Sequence, residues 1–256
     1  MRNHRPCHLG ERSAHLVKDQ HASTNISFNK SYLEHSKPLQ SDIKYSQNVN
    51  LSTAAGCKIN VFNRNLTWAF KLLPRIKDII EKPDYPKHIP TTVIPQYQSI
   101  QHLKYELVED VAKRNPFKTQ YFAWVDIGLF RDLLLHSNRI ISPFHIGLPP
   151  GFDRSKIAYN EVVPMRNVSN KDIFYRNLYW VCGCFFIARR AVLLQWVKEY
   201  KKFTERFLDE GLANTDQRII YAIQANEKTM VKIQAYKPRL HVNRWFDLAY
   251  RCKEDV

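Results

Sequence analysis

The run Tyr121-Phe122-Ala123-Trp124-Val125-Asp126-Ile127-Gly128 constrains this chain most. Its residues are apolar at successive positions, with neither the helical period nor the alternation of a half-exposed strand, so it reads as a strand covered on both faces. Such a strand needs packed elements above and below it, which selects an α/β architecture. Open α/β sheets take their ligands at the carboxyl ends of strands, and this run leaves its strand through a carboxylate. Asp126 therefore has two readings. It is a functional acid at a sheet end, or it forms a turn ahead of Gly128, since Asp-x-Gly is common turn chemistry.

The 256 residues are 44% hydrophobic, enough for one sizeable core. No Gly/Ser-rich linker divides them, and 13 prolines against 7 glycines favour stiff loops. A formal charge of +15 calls for an anionic partner or surface. The basic residues alternate with Asp and Glu instead of forming a stripe, which disfavours nucleic acid and leaves solvated surface as the reading of most of them. No apolar run near Met1 has the form of a signal peptide, and none reaches the ~20 residues of a membrane span. The sequons at Asn25, Asn29, Asn50, Asn65 and Asn167 are compatible with a secretory-pathway location without requiring it. Cys182-Gly183-Cys184 is too close-set for an ordinary zinc pair and stands in an apolar run, so these cysteines are expected as buried free thiols.

Residues 1–56 are rich in His, Ser, Asn, Gln and Lys, with no apolar period, and are expected to be disordered or poorly structured. His4, His8, His15 and His21 belong to that polar tail rather than to a metal site. The folded domain is expected over residues 57–256. Phe62 to Leu73 reads as a helix, Pro74 opens a second short one, and residues 83–99 read as a loop with a brief strand at Thr91 to Ile94. A helix over 98–113 carries Lys104, ordinarily a surface charge. Leu129 to Leu135 reads as a short helix or turn and Arg139 to Ile141 as a strand. Beyond them come an apolar segment at 178–188, a long amphipathic helix ending at Gly211, a helix opened by Thr215-Asp216-Gln217, and a strand at Val231 to Ala235. Asp216 has a plain structural reading too, as a first-turn carboxylate that complements the helix dipole.

Asn115-Pro116-Phe117, the Tyr121–Gly128 run behind a lysine-bearing helix, and Asp216-Gln217 at a later helix start occur in an order that resembles the HtrL/YibB family over residues 93–245. That family looks like a branch of the nucleotide-sugar glycosyltransferases of GT-A type. The resemblance implies a GT-A-like (Rossmann-like) mixed sheet flanked by helices, incomplete on its N-terminal side because residues 1–56 offer no nucleotide-receiving strand and loop. It implies transfer of a sugar from a nucleotide-sugar donor to a carbohydrate or glycoconjugate acceptor. The alternative is a catalytically inactive GT-A-like binding protein.

In GT-A enzymes an Asp-x-Asp motif helps hold a divalent cation on the donor diphosphate, and Mn²⁺ or Mg²⁺ suits oxygen ligands. On that pattern Asp126 is the donor-side and metal-side acid, although Gly128 stands where the second acid would be. His241 is a candidate second metal ligand or an ordinary loop histidine. Lys104 and Arg131 are candidates for the diphosphate, Gly183 and Gln217 for the acceptor side, and Asp216 for contact with sugar hydroxyls as catalytic base.

Overall fold

A computed structural model describes residues 14–16, 63–129 and 145–254. The expected elements at Leu129 to Leu135 and Arg139 to Ile141, and Arg131 itself, lie outside these residues from position 130 onward, as does most of the polar N-terminal segment.

In chain order the described elements are β1 (Ala14–Leu16), a 3₁₀ turn (Arg64–Leu66), α1 (Trp68–Lys71), α2 (Leu73–Ile80), α3 (Pro95–Arg114), β2 (Tyr121–Val125), β3 (His145–Ile146), β4 (Ile157–Glu161), α4 (Asn170–Tyr175), β5 (Val181–Arg189), α5 (Arg190–Asp209), α6 (Asp216–Asn226), β6 (Ile233–Tyr236), α7 (Asp247–Cys252) and β7 (Lys253–Glu254). The first expected helix is broken by a 3₁₀ turn because Thr67 caps α1, its hydroxyl accepting from the Phe70 amide. Thr91 to Ile94 forms turns, not the expected strand. The amides of Thr92 and Ile94 are spent on the carbonyls of His88 and Pro90, so no ladder can form there. α3 accordingly begins at Pro95, where a missing amide hydrogen costs nothing. It ends at Asn115, whose left-handed backbone (φ 41°) returns its N–H to the Val111 carbonyl.

The main sheet has the order β1-β2-β5-β4-β6, antiparallel throughout except for the parallel pair β4 and β6. Its two faces feed two cores. Phe122, Trp124, Tyr159, Phe186 and Ala188 point toward α3, α5 and α6 and pack with Tyr105, Trp196, Tyr200 and Ile220. The alternate residues Ala123, Val125, Ala158, Phe185 and Ile187 pack on the other face with Leu248 and Ala249 of α7. This two-sided burial is why β2 carries no polar alternation. The chain is thus a mixed α/β protein, and no helix among the described residues is long and apolar enough to cross a membrane.

β2, β4 and β6 run in one direction, so their carboxyl ends share an edge with the start of β5. At that edge the pairing of β4 with β5 jumps from Tyr159–Phe186 to Asn160–Cys182, and Gly183-Cys184-Phe185 bulges out of the ladder on that side. The bulge brings the Cα atoms of Cys182 and Cys184 to 5.4 Å, within disulfide reach, and the two are joined. The expectation of free thiols fails at this pair. Cys252 is a buried free thiol.

Candidate functional site

Lys104 lies on the inner side of α3, one residue before Tyr105, and its side chain is only 4% exposed. Its ammonium group donates to Asp216 Oδ2 at 2.9 Å and to the Gly183 carbonyl at 3.0 Å, with the Trp124 ring 5.9 Å away. The reading of Lys104 as surface charge is overturned: α3, the β5 bulge and the first turn of α6 close around it. Burial pulls the Lys104 pKa down, but the Asp216 and Asp126 carboxylates outweigh it and leave the value raised. Lys104 is therefore a fixed cation.

Asp216 is equally enclosed, with 2% of its side chain exposed. Its Oδ2 also accepts from the Tyr105 hydroxyl at 3.5 Å, and that hydroxyl meets Tyr159 at 3.3 Å. Trp196 Nε1 extends the chain of contacts to Tyr159 at 3.2 Å. Gly183 owes its lack of a side chain to this pair, since a Cβ there would stand 2.2 Å from Asp216 Oδ2. Thr215 precedes α6 as expected, yet its side chain caps no backbone amide.

Asp126 occupies the carboxyl end of β2. Its backbone N–H donates to the Cys184 carbonyl at 2.8 Å, and its Oδ1 accepts from Trp124 Nε1 at 2.6 Å. Among the described residues its other carboxylate oxygen has no partner. Withdrawal from water raises the Asp126 pKa, against the opposing pull of Lys104. The side chain is only partly buried, which sets it apart from Asp216. Asp126 is thus the more exposed of the two acids at this edge.

The predicted residues Lys104, Asp126, Gly183 and Asp216 thus converge at one end of the sheet, and Gln217 joins them by donating to the Val181 carbonyl at 3.0 Å. His241 stands apart in its contacts: it is exposed, in a turn with left-handed backbone (φ 65°). Among the described residues no group of three or more His, Cys, Asp or Glu side chains is placed to hold a metal ion. Sequence reasoning passed over Arg218. This residue is 4% exposed, with its guanidinium 5.3 Å from the centre of the Tyr179 ring, and Tyr179 in turn packs on Trp245 at 5.6 Å. Burial lowers the Arg218 pKa to about 10. A signal for it existed, because a basic residue in the first turn of a helix opposes the dipole and calls for compensation.

Behind the ion pair, His102 is buried with its Nδ1 2.6 Å from the Tyr200 hydroxyl. Burial lowers its pKa from 6.5 to about 4. The folded state thus resists protonation that the unfolded chain accepts, so the His102 contribution is intact above about pH 6.5 and is lost as pH falls toward about 4. The difference amounts to roughly 3 kcal/mol at the acid end. Urea titrations at a series of pH values should show the slope of stability between these limits flattened in His102→Gln relative to wild type.

The fold and this edge define an α/β protein with a buried lysine–aspartate pair beside a partly buried aspartate at a strand end. The chain belongs to the HtrL_YibB family, described as a bacterial protein of unknown function, whose sequence profile matches residues 76–254. No curated protein and no solved structure matches the chain.

Proposed function

We propose that this protein is a GT-A-like, nucleotide-sugar-dependent glycosyltransferase that moves a sugar to a carbohydrate or glycoconjugate acceptor. The observation that carries the reading is the partly exposed Asp126 at the carboxyl edge of the sheet, with the Lys104–Asp216 pair directly behind it. A departing nucleoside diphosphate gathers negative charge, and Asp126 would hold a cation against it, Lys104 being spent on Asp216. The donor set suits Mn²⁺ or Mg²⁺ held by one protein carboxylate, Asp126, with the remaining ligands from substrate phosphates and water, since Asp126 keeps one oxygen without a partner among the described residues. Such an ion, when bound, would neutralise the leaving diphosphate.

The chain's own residues have separable tasks in this reading. Trp124 orients Asp126 through its indole N–H, and Lys104 holds Asp216 and the β5 bulge in place. Enclosed by Lys104 and Tyr105, Asp216 acts as a positioning residue that shapes the edge, rather than as a base on the acceptor. Gly183 keeps the backbone close to that pair, and Gln217 braces the start of β5. A second reading, a binding protein without turnover, is favoured by that enclosure of Asp216 and by Gly128 in place of a second acid.

Release of free nucleoside diphosphate from a panel of sugar nucleotides, with Mn²⁺, Mg²⁺ or chelator, tests both readings. Turnover that falls at least about a hundredfold in Asp126→Asn supports the enzyme, a loss typical of a group that stabilises transition-state charge. Sugar-nucleotide or glycan binding without product supports the binding protein. Turnover unchanged by Asp126→Asn would remove the role given to this acid.

A further inference from the structure

Among the described residues, Arg218 is the buried cation that no carboxylate contacts. The other buried cation, Lys104, is paired with Asp216, and the buried acid Asp247 is paired with Arg239 and Arg251. Arg218 meets only neutral acceptors: its Nη1 donates to Thr215 Oγ1 at 3.2 Å and Gln217 Oε1 at 3.1 Å, and its Nη2 to the Asn177 carbonyl at 3.0 Å. Its Nε is buried with no acceptor at all. A charged group removed from water is ordinarily answered by an opposite charge, and a donor left over is a cost the fold does not otherwise carry.

The position of that guanidinium sharpens the point. By reaching back to Thr215 it lies over the start of α6, where the helix presents its positive end and no side chain caps the backbone. The hydroxyl of Thr215, the natural cap, is used by Arg218 instead. The guanidinium thus adds its charge to the helix's positive end, which Asp216 offsets only through space. Asp216 does not relieve it by direct contact, because its Oδ2 is held by Lys104, and Asp126 binds the Trp124 indole. The Tyr179 ring covers the guanidinium and packs on Trp245, and Tyr97, Tyr179 and Trp245 are themselves partly exposed.

We infer that Arg218 and the first turn of α6 form an oxyanion site that takes the phosphate oxygens of a small phosphate-bearing ligand, entering past the Tyr179 and Trp245 rings. A guanidinium fork beside uncapped helix amides matches a tetrahedral, multiply charged oxyanion. The choice of phosphate over other oxyanions rests on the sugar-nucleotide reading, in which Lys104 was the expected diphosphate contact. With Lys104 consumed by Asp216, Arg218 takes that task.

The test uses the full chain, with inorganic pyrophosphate and a nucleoside diphosphate as probes in calorimetric titration, and chloride of equal ionic strength as the control. Pyrophosphate is expected to bind and to raise the melting temperature above the chloride control. Arg218→Lys, which keeps the charge but loses the fork, should weaken binding at least about tenfold, and Arg218→Met should abolish it. Tyr179→Ala should weaken the nucleoside diphosphate more than pyrophosphate, because the ring faces the organic part of the ligand. Should Arg218→Met fail to fold, the wild-type melting shift and Arg218→Lys decide the matter. No pyrophosphate-specific shift in the wild type, or equal affinity in Arg218→Lys, overturns the inference. Arg218-dependent pyrophosphate binding without sugar-nucleotide turnover leaves it standing and removes the transferase reading. Turnover that Arg218→Lys leaves unchanged does the reverse.

Discussion

Lys104→Met is expected to lower stability by about 3–5 kcal/mol, the usual cost of leaving one member of a buried ion pair without its partner. Asp216 would remain enclosed, with the distant Tyr105 hydroxyl, at 3.5 Å, as its remaining side-chain donor among the described residues. The Gly183 carbonyl would lose the donor that now reaches it at 3.0 Å. Asp216→Leu should be similarly harmful, because it strands the ammonium. Combining the two substitutions should recover most of the loss, since apolar replacement of a whole buried pair is often neutral or better. Urea unfolding of the three variants gives the answer as a thermodynamic cycle. Additive losses in the double variant would mean that the two side chains stabilise the fold independently, contrary to the 2.9 Å contact.

Gly183→Ala carries the second large effect, about 3 kcal/mol or more, because overpacking alone costs about 1–3 kcal/mol and here it also pushes on the ion pair. The added carbon would sit 2.2 Å from Asp216 Oδ2 and 3.0 Å from the Lys104 ammonium, and neither group has water to retreat into. Gly151 is the natural comparison. Its backbone is left-handed (φ +68°), but an added Cβ would meet nothing within 4 Å, so Gly151→Ala should cost only about 1–2 kcal/mol of backbone strain. Thermal or urea unfolding ranks the two. In an Asp216→Ala background the ranking should change, since the carboxylate that the added methyl would strike is gone. An unchanged cost there would place the clash elsewhere.

The interior of the fold was readable because apolar periodicity is a local property. A run as uniformly apolar as Tyr121 to Val125 must be covered on both faces, and it is. The amphipathic spacing of α5 and α6 carried the same message. Ile157–Glu161, Asn170–Tyr175 and Asp247–Cys252 were missed as elements. Each is short, and each mixes polar residues into its face: Asn160 is buried in β4 because its side chain donates to the Glu161 and Arg244 carbonyls and accepts from the Leu248 amide. The Arg244 and Leu248 partners come from a distant part of the chain, so no window of sequence around Asn160 contains them.

The site divides the same way. Asp126 was recognisable as a residue needing explanation, because a carboxylate at the end of a buried strand breaks a local pattern. The sequence by itself determined the α/β class, the two-sided strand and the family to which the chain belongs. Only the tertiary structure decided that Lys104 is buried and spent on Asp216, that Cys182 and Cys184 are joined across a bulge, and that Arg218 is enclosed among neutral hydrogen-bond acceptors. Hydrophobic pattern specifies which face of an element leaves water. It says nothing of which polar group that face then meets, and for ionisable side chains the partner sets the charge, the energy and the use.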